Sequence, residues 1–321
     1  MNKKRKHNGM IIGFLFLLVA VGAHSVQINA QNRISPIKAV IFASRPNGVS
    51  STISYVAENL DKRLAEDETV RFSSYIVDVS SYRDLDYKIN MAIDLKADVL
   101  ILSGSSVRDT TALQRLKDAG IRLIFVDGDD PQSGRDAYVG TDNLEAGKLA
   151  AQTVLEEIGS GNAAVLSVPQ VASNKTRSKE QRKSGILSYF ENEKNSTIEI
   201  LAEKRCSSEN FLARTEIKEL LETNPQINAL FCLDSASGVA TAAALKELHR
   251  TKDVYVICFD LPDQVEEELT TGGIDAAIVQ NFDECGRICA DLLREMALDP
   301  DSITDRIETV DCQIITAKDI G

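Results

Sequence analysis

The chain has 321 residues, of which 43% are hydrophobic, and its formal net charge is −12. A chain this acidic is unsuited to nucleic acids and anionic membrane surfaces, because both repel negative charge. Its length suits two domains of ordinary size.

The first thirty residues have the pattern of an export signal. Lys3, Lys4, Arg5 and Lys6 precede an apolar run over 10–23, which is short for a membrane-spanning helix. We expect residues 1–30 to be a signal peptide or, if uncleaved, an N-terminal membrane anchor. The protein would then lie in the periplasm or at the outer face of the cell membrane. Removing the four basic residues takes the net charge from −12 to −16.

The next hundred residues alternate between short apolar runs and amphipathic stretches. Apolar runs bounded by turn residues predict buried strands, and the stretches between them predict helices. The predicted strands are 37–43, 70–77, 98–102 and 122–126, and the predicted helices are 51–66, 87–95 and 110–119. This order is typical of a doubly wound α/β lobe.

The stretch 138–159 marks the passage to a second lobe. A strand is predicted to end at Val139 and to be broken by Gly140, and Thr141, Asp142 or Asn143 can cap the helix that follows. A similar βα series comes next. Its predicted strands are 163–168, 198–203, 229–233, 254–259 and 276–280, and its predicted helices are 179–192, 211–224, 235–248, 262–271 and 283–298. The tail over 307–316 is predicted to be extended.

These elements predict an α/β fold of two doubly wound parallel-sheet lobes. We expect three crossing segments near 139–141, 280–282 and 307–309, with a ligand cleft between the lobes. The N-terminal lobe is predicted to comprise 37–139 plus 282–306. The C-terminal lobe is predicted to comprise 140–281 plus 307–321.

Polar residues follow several of the predicted strands. Ligands of open parallel sheets bind beyond the carboxyl ends of the strands. That rule selects Ser44, Asn47, Ser103, Asp127, Asp234, Asp260 and Gln280. Their oxygens suit the vicinal hydroxyls of a small polyhydroxylated ligand. The alternative is helix capping, for which Asp234 is well placed before the helix that begins at Ser235.

The chain resembles periplasmic sugar-binding proteins of the ribose-binding type, whose fold also forms the effector domains of lactose-repressor-like regulators. The likeness runs from about residue 38 to 316 and is clearest over 138–159. Asp127 in Phe-Val-Asp and Asp260 in Cys-Phe-Asp resemble the family's strand-ending aspartates. Arg182, three residues before Gly185, resembles its ligand-binding arginine, and Gln280 its hinge glutamine. Asp234 and Ser103 stand where the family has an Asn-Asp pair and an asparagine.

The chain departs from this family in its aromatic residues. Family sites sandwich the sugar ring between aromatic side chains, but the first loop, 47–51, contains none and the chain has no Trp. Phe211 or Phe259 are the candidate substitutes. These departures favour a smaller or more polar ligand.

Catalytic groups are scarce. His7 and His24 lie in the leader and His249 lies at a predicted helix end, so a His-based triad or metal site in the cleft is excluded. We expect no cofactor and no metal. Six cysteines are expected to be free thiols, mostly in the core. A hydrolase that uses the cleft carboxylates is the least favoured hypothesis.

Two functions therefore stand. The first, implied by the resemblance, is a monomeric solute-binding protein that delivers a monosaccharide to the membrane permease of an ABC importer. The second is an anchored sensor that presents its closed form to a membrane receptor or kinase. A repressor is disfavoured because an export leader stands where a DNA-binding motif would be.

Fusing residues 1–35 to a reporter that is active only outside the cytoplasm should give an active reporter, because the basic and apolar blocks have the order of an export signal. The control replaces Lys3, Lys4, Arg5 and Lys6 by glutamate and should reduce export. Cytoplasmic retention of the original fusion would contradict both functions.

Overall fold

A computed structural model describes residues 36–43, 52–76, 84–104, 111–167, 177–192 and 197–320. Its elements alternate between strands and helices, as the apolar pattern predicts. The helices are α1 Thr52–Leu64, α2 Asp84–Asp94, α3 Thr111–Asp118, α4 Asn143–Ile158, α5 Arg177–Asn192, α6 Asn210–Thr223, α7 Ser235–Glu247, α8 Asp263–Thr271 and α9 Phe282–Leu298.

The first sheet has six strands in the order β11-β5-β4-β3-β1-β2. These strands are β1 Ile37–Ala43, β2 Val70–Ile76, β3 Val99–Ser103, β4 Arg122–Val126, β5 Ala137–Thr141 and β11 Arg306–Val310. All pairs in this sheet are parallel. Because parallel strands run in one direction, their carboxyl ends meet at one edge of the sheet.

The second sheet repeats this arrangement in the order β12-β10-β9-β8-β6-β7. Its strands are β6 Gly161–Ser167, β7 Ile198–Arg205, β8 Ile227–Cys232, β9 Tyr255–Phe259, β10 Ala276–Gln280 and β12 Cys312–Thr316. Only the β10–β12 pair is antiparallel among these described strands. The prediction of two doubly wound α/β lobes is confirmed.

The chain passes between the sheets after β5, after β10 and after β11. Two of these positions differ from the predicted lobe boundaries. Gly140 does not break its strand, since β5 continues to Thr141 through parallel pairing with β11. A side chain at Gly140 would collide with the Tyr138 hydroxyl, which explains the glycine.

The third crossing is a correction to the predicted segment 307–309. Ile307 pairs with Tyr138 and Thr309 with Gly140, so residues 307–310 belong to the first sheet and not to the second. The chain then crosses at Asp311, between Val310 of β11 and Cys312 of β12. The sequence alone predicts an extended tail. Which sheet each half of the tail joins depends on which neighbouring strand has a free edge.

Each sheet is covered by helices on both faces. In the first lobe α1 and α9 pack against one face, and α2 and α3 cover the other. In the second lobe α4 and α5 cover one face, and α6, α7 and α8 cover the other. Burial on both faces explains why the central strands are almost continuously apolar. Within the described residues, no helix is long and apolar enough to span a membrane.

Two glycines allow α4 and α5 to approach closely. A Cβ on Gly147 of α4 would collide with the carbonyl oxygen of Arg182, and one on Gly185 of α5 would collide with the carbonyl oxygen of Leu144. The helix that carries Arg182 is therefore held against the helix that follows the first crossing.

The structure confirms six free thiols. Cys206, Cys232, Cys258, Cys285 and Cys289 are buried, and Cys312 is partly exposed. Burial raises the pKa of Cys232 and of Cys285 to about 12, so both stay protonated and unreactive at neutral pH.

Gly185→Ala should lower the free energy of unfolding by about 1–3 kcal/mol, because the added methyl forces α4 and α5 apart. Chemical denaturation of the full-length chain measures this change. Gln152→Ala, at an exposed position on α4, is the control and should change stability by no more than ~0.5 kcal/mol. Equal effects of the two variants would contradict the close packing.

Candidate functional site

Two aspartates occupy equivalent places in the two lobes. Asp127 follows β4 and Asp260 follows β9, and both have a positive φ, 67° and 69°. The Asp127 N–H donates to the Val139 carbonyl at 3.3 Å, and the Asp260 N–H donates to the Ile278 carbonyl at 2.9 Å. Aspartate is one of the few residues that adopt this left-handed conformation readily. The same turn thus ends the corresponding strand of each sheet and directs a carboxylate away from it.

Among the residues that the structure describes, Ser103 is the one side chain that forms a hydrogen bond with the Asp127 carboxylate. The Ser103 hydroxyl lies 3.4 Å from its Oδ2, which is a weak contact. Burial, and next the negative charge of Asp260, raise the pKa of Asp127 to about 6, while Arg182 and Ser103 oppose this rise. The interaction of Asp127 with Asp260 and Arg182 brings side chains of both lobes into one electrostatic group.

Arg182 is the buried cation of this group. It lies on α5 and is 4% exposed. Its Nε donates to Asn143 Oδ1 at 2.8 Å and its Nη1 to the Leu233 carbonyl at 3.0 Å. The guanidinium also lies over the Phe259 ring, 4.2 Å from the centroid, a favourable cation–π distance. These contacts lock the guanidinium in one orientation at the edge of the second sheet.

Asn143 is the residue that sequence reasoning missed here. It begins α4 directly after the first crossing, and its Nδ2 donates to the Thr141 carbonyl at 3.2 Å. The cap of α4 is Asp142, whose Oδ1 accepts from the N–H groups of Leu144 and Glu145. Because Asp142 supplies the cap, the Asn143 side chain is available to orient Arg182.

Gln280 closes β10 at the second crossing. Its Nε2 donates to Asp260 Oδ1 at 2.7 Å. The side chain is 6% exposed, and its Oε1 is buried without a hydrogen-bond partner. A buried acceptor without a donor costs about 1–3 kcal/mol, so a ligand or a water that donates to Oε1 is favoured.

Asp234 has a structural role. It caps α7, with Oδ1 accepting from the Ser237 N–H at 2.7 Å. Its Oδ2 lies 2.7 Å from Lys179 Nζ in an ion pair that is largely buried. Lys179 lies in the first turn of α5 and Asp234 precedes α7, so this ion pair joins the amino ends of two helices that cover opposite faces of the second sheet. The ligand-binding role of Asp234 stays a prediction.

The structure brings five of the predicted site residues to the facing strand ends: Ser103, Asp127, Arg182, Asp260 and Gln280. Ser44 and Asn47 lie outside the described residues. The two candidate aromatic residues, Phe211 and Phe259, are both unsuitably placed to stack against a sugar ring. Phe259 is buried beneath Arg182, and Phe211 is 65% exposed at the start of α6, where it contacts Arg214.

A pocket of about 670 Å³ lies elsewhere, at the amino ends of β4, β5 and β11. Arg122 and Arg135, two of its basic residues, already pair with Asp136 and Asp305. These ion pairs join the strand ends to one another. Within the part of the chain that the structure describes, no cluster of His, Cys, Asp and Glu side chains could hold a metal ion.

A family model described as the periplasmic binding protein domain matches residues 84–299. The D-allose-binding periplasmic protein of Escherichia coli (strain K12) is 25% identical over 151 residues, which cover 47% of each chain. The ribose import binding protein RbsB of Bacillus subtilis (strain 168) is 20% identical over 210 residues, 65% of this chain and 64% of RbsB. The matched part thus spans about half to two thirds of the length of these relatives.

The fold also matches solved structures over almost its whole length. XylFII in a structure of the XylFII-LytSN complex superposes with a TM-score of 0.69 at 24% identity, covering 89% of this chain and 99% of the other. A likeness at this identity supports the architecture of two lobes and carries no statement about the ligand.

Asp127→Asn should stabilise the ligand-free protein at neutral pH. The Asp127 carboxyl, with its pKa raised to about 6, keeps its proton in the folded protein at pH values where the unfolded chain has already released it, from about pH 4 upward. The free energy of unfolding therefore falls progressively as the pH rises from about 4 to about 6. The amide removes this charge and tolerates the left-handed backbone. We expect a gain of about 1–2 kcal/mol near pH 8 and little change below about pH 4.

Denaturation of variant and parent at both pH values measures this difference. Asp253→Asn, at an exposed aspartate in the turn before β9, is the control and should show no such dependence. A gain for Asp127→Asn that is the same at both pH values would contradict the electrostatic origin.

Proposed function

The chain belongs to the periplasmic binding protein domain family, and we propose that it closes its two lobes on a small polyhydroxylated ligand, a monosaccharide. The ligand would be held between Asp127 and Ser103 of the first lobe and Arg182, Asp260 and Gln280 of the second. Ser44, Asn47 and Asp234 remain further candidates for contact.

The observation that carries this proposal is the pair of left-handed turns at Asp127 and Asp260. Each turn directs a carboxylate from a different lobe, and the two carboxylates are close enough to interact electrostatically. Like charges repel, so the arrangement is favourable only when donors lie between them. Sugar hydroxyls are such donors, and their hydrogen bonds to carboxylates are stronger than bonds between neutral groups.

Closure would be a hinge motion at the three crossings. Each crossing is short, with one residue between β5 and α4, one between β10 and α9, and one between β11 and β12. Short connections at the ends of rigid elements restrict the motion to rotation of one lobe against the other. Ligand contacts from both lobes would then stabilise the closed form by mass action.

The output of binding has two candidates. The first is delivery of the sugar to the permease of an ABC importer. Two relatives support this output, one a periplasmic protein that binds D-allose and the other a binding protein for ribose import. The second is presentation of the closed form to a membrane receptor or sensor kinase. That XylFII was solved in complex with a second protein, LytSN, supports a protein partner for this architecture.

Binding without catalysis fits the chemistry of these residues. Asp127 and Asp260 come from opposite lobes, and Gln280 and Arg182 offer hydrogen bonds to a ligand. The leader and the family support export to the periplasm or to the outer face of the cell membrane. We take the protein to be a monomer that uses no metal and no cofactor.

A thermal-shift screen of pentoses, hexoses and polyols on the full-length chain tests the proposed function. A ligand at a hundredfold excess over its Kd stabilises the native state by roughly 2.7 kcal/mol, which is easily detected. Absence of a shift with every sugar and polyol would contradict the proposed function.

Asp260→Asn should weaken binding of the sugar identified in that screen by roughly 10–100-fold, since a hydrogen bond to a charged partner is lost while the left-handed turn is kept. Calorimetric titration gives the Kd. Asp253→Ala, an exposed aspartate of the same lobe, should bind as the parent does. A normal Kd for Asp260→Asn would remove Asp260 from the site.

The two outputs differ in the fate of the leader. Intact mass of the protein recovered from whole cells of its source reports whether residues 1–30 are present. A cleaved leader favours importer delivery, and a retained leader favours the anchored sensor. Crosslinking of the sugar-loaded form to a permease or to a kinase identifies the partner directly.

A further inference from the structure

The first crossing is organised around the carbonyl group of Thr141. Thr141 is the last residue of β5 and only Asp142 separates it from α4, so its carbonyl belongs to the peptide at which the chain changes lobes. We call this peptide the pivot. The Tyr138 hydroxyl, from the first lobe, donates to the pivot carbonyl at 3.1 Å, and Asn143 Nδ2, from the second lobe, donates to it at 3.2 Å. Because a carbonyl oxygen has two lone pairs, it accepts from both lobes at once.

Tyr138 connects the pivot to the candidate site of the first lobe. Its hydroxyl also donates to the Asp127 carbonyl at 3.1 Å, so one proton is shared between that turn and the pivot. The Asp127 N–H donates to the Val139 carbonyl at 3.3 Å, which means that β5 holds both backbone polar groups of this turn. Gly140 leaves room for the tyrosine, since a Cβ there would collide with the hydroxyl. Burial raises the pKa of Tyr138, so the hydroxyl keeps its proton at neutral pH.

Asn143 connects the pivot to the candidate site of the second lobe. Its Nδ2 contacts the pivot, and its Oδ1 accepts from Arg182 Nε at 2.8 Å. Tyr138, Thr141, Asn143 and Arg182 are all buried, so water competes little for these hydrogen bonds. A continuous path of hydrogen bonds therefore joins the Asp127 turn to the Arg182 guanidinium through the pivot. We call Tyr138, Thr141 and Asn143 the pivot network.

The pivot network also touches the third crossing. Thr141 pairs with Val310, the last residue before that crossing. The Thr141 hydroxyl lies 3.8 Å from the Sγ of Cys312, the first residue of β12 beyond it. Two of the three crossings thus meet at Thr141. Because the two donors to the pivot carbonyl belong to different lobes, rotation of one lobe against the other changes their distances to it.

We propose that Tyr138 is a positioning residue for ligand binding that acts on Arg182 through the Thr141 carbonyl and Asn143. This inference rests on the proposed function and assigns the residues that link lobe closure to binding. Asp127 and Arg182, the proposed ligand contacts from opposite lobes, are placed in the same lobe arrangement that completes the pivot network. By thermodynamic linkage, a ligand that favours this arrangement favours the network, and loss of the network weakens binding of the ligand.

Tyr138→Phe tests this role, because it removes the hydroxyl and keeps the ring. The probe is the sugar among D-ribose, D-allose, D-xylose and D-glucose that gives the parent chain the largest thermal shift. Its Kd, measured by calorimetric titration of the full-length chain, should rise by about three- to tenfold, as expected for the loss of one buried hydrogen bond. Tyr255→Phe removes the hydroxyl of a half-buried tyrosine at the start of β9 and is the control. It should change the Kd by less than about twofold.

A second measurement follows Arg182 itself in the ligand-free protein. Its Nε–H proton, assigned in NMR spectra by its loss in Arg182→Lys, reports how often the contact with Asn143 opens to water. Tyr138→Phe should speed the exchange of this proton by about threefold or more, although Tyr138 and Arg182 belong to different lobes. A role of Tyr138 in the packing of the first lobe alone would leave the rate at the parent value, as Tyr255→Phe should.

A double substitution tests whether the effect passes through Asn143. Asn143→Ala removes both contacts of this side chain, so the link between the pivot and Arg182 is already broken. In that background Tyr138→Phe should weaken sugar binding by less than about twofold further. Effects of the two substitutions that multiply would show that the two residues act independently and would overturn the assigned path.

The outcomes separate this inference from the proposed function. An unchanged exchange rate of the Arg182 proton in Tyr138→Phe, or a Kd that is unchanged or tighter, overturns the positioning role while sugar binding stands. If exchange is faster but no pentose, hexose or polyol binds to the parent chain, the contact across the pivot stands. The proposed function is then overturned, and with it the role of Tyr138 in binding.

Discussion

The parallel strands of each sheet end at one edge, and the residues that leave these two edges carry the candidate site. In both lobes the fourth strand ends in an aspartate with a left-handed backbone whose N–H is tied to the neighbouring strand. A parallel sheet thus determines where its loop side chains emerge before any ligand is considered. Three short crossings keep the two edges close together, so side chains distant in sequence act as one electrostatic group.

Arg182 shows how the second lobe controls a charge at this edge. Two hydrogen bonds and an aromatic ring hold the guanidinium, and the approach of α4 to α5 at Gly147 and Gly185 sets its backbone. A cation immobilised in this way loses little conformational entropy when a ligand arrives. It also moderates the repulsion between Asp127 and Asp260 without neutralising either.

Under the proposed function, the cleft favours a ligand that donates hydrogen bonds. Repulsion between carboxylates of opposite lobes favours separation, and a ligand that donates to both favours closure. The same charges that make the empty cleft unfavourable thus make closure depend on the ligand. This logic serves an importer and a sensor equally, because each needs an open empty form and a closed loaded form.

The sequence by itself determined the alternating elements, the division into two lobes and the positions of Asp127 and Asp260 at strand ends. These features follow from local patterns, namely apolar runs for strands buried on both faces and polar residues where such runs stop. The resemblance to a family of sugar-binding proteins selected Arg182, whereas Gln280 was already selected by its place at the end of a strand. The placement of β11 in the first sheet was not foreseen, because an edge strand of 306–310 pairs through its backbone and carries no distinctive side-chain pattern.

Only the tertiary structure decided what each polar side chain contacts. Asn143 orients Arg182 across 39 positions of the chain, and Lys179 pairs with Asp234 across 55. Phe259 lies beneath a guanidinium, and Gln280 keeps one oxygen without a donor. Contacts of this kind depend on how helices pack onto sheets, where a glycine can decide the distance between two backbones. Local sequence patterns determine which face of an element is buried, but the partner that meets a polar group there is set by segments far away in the chain.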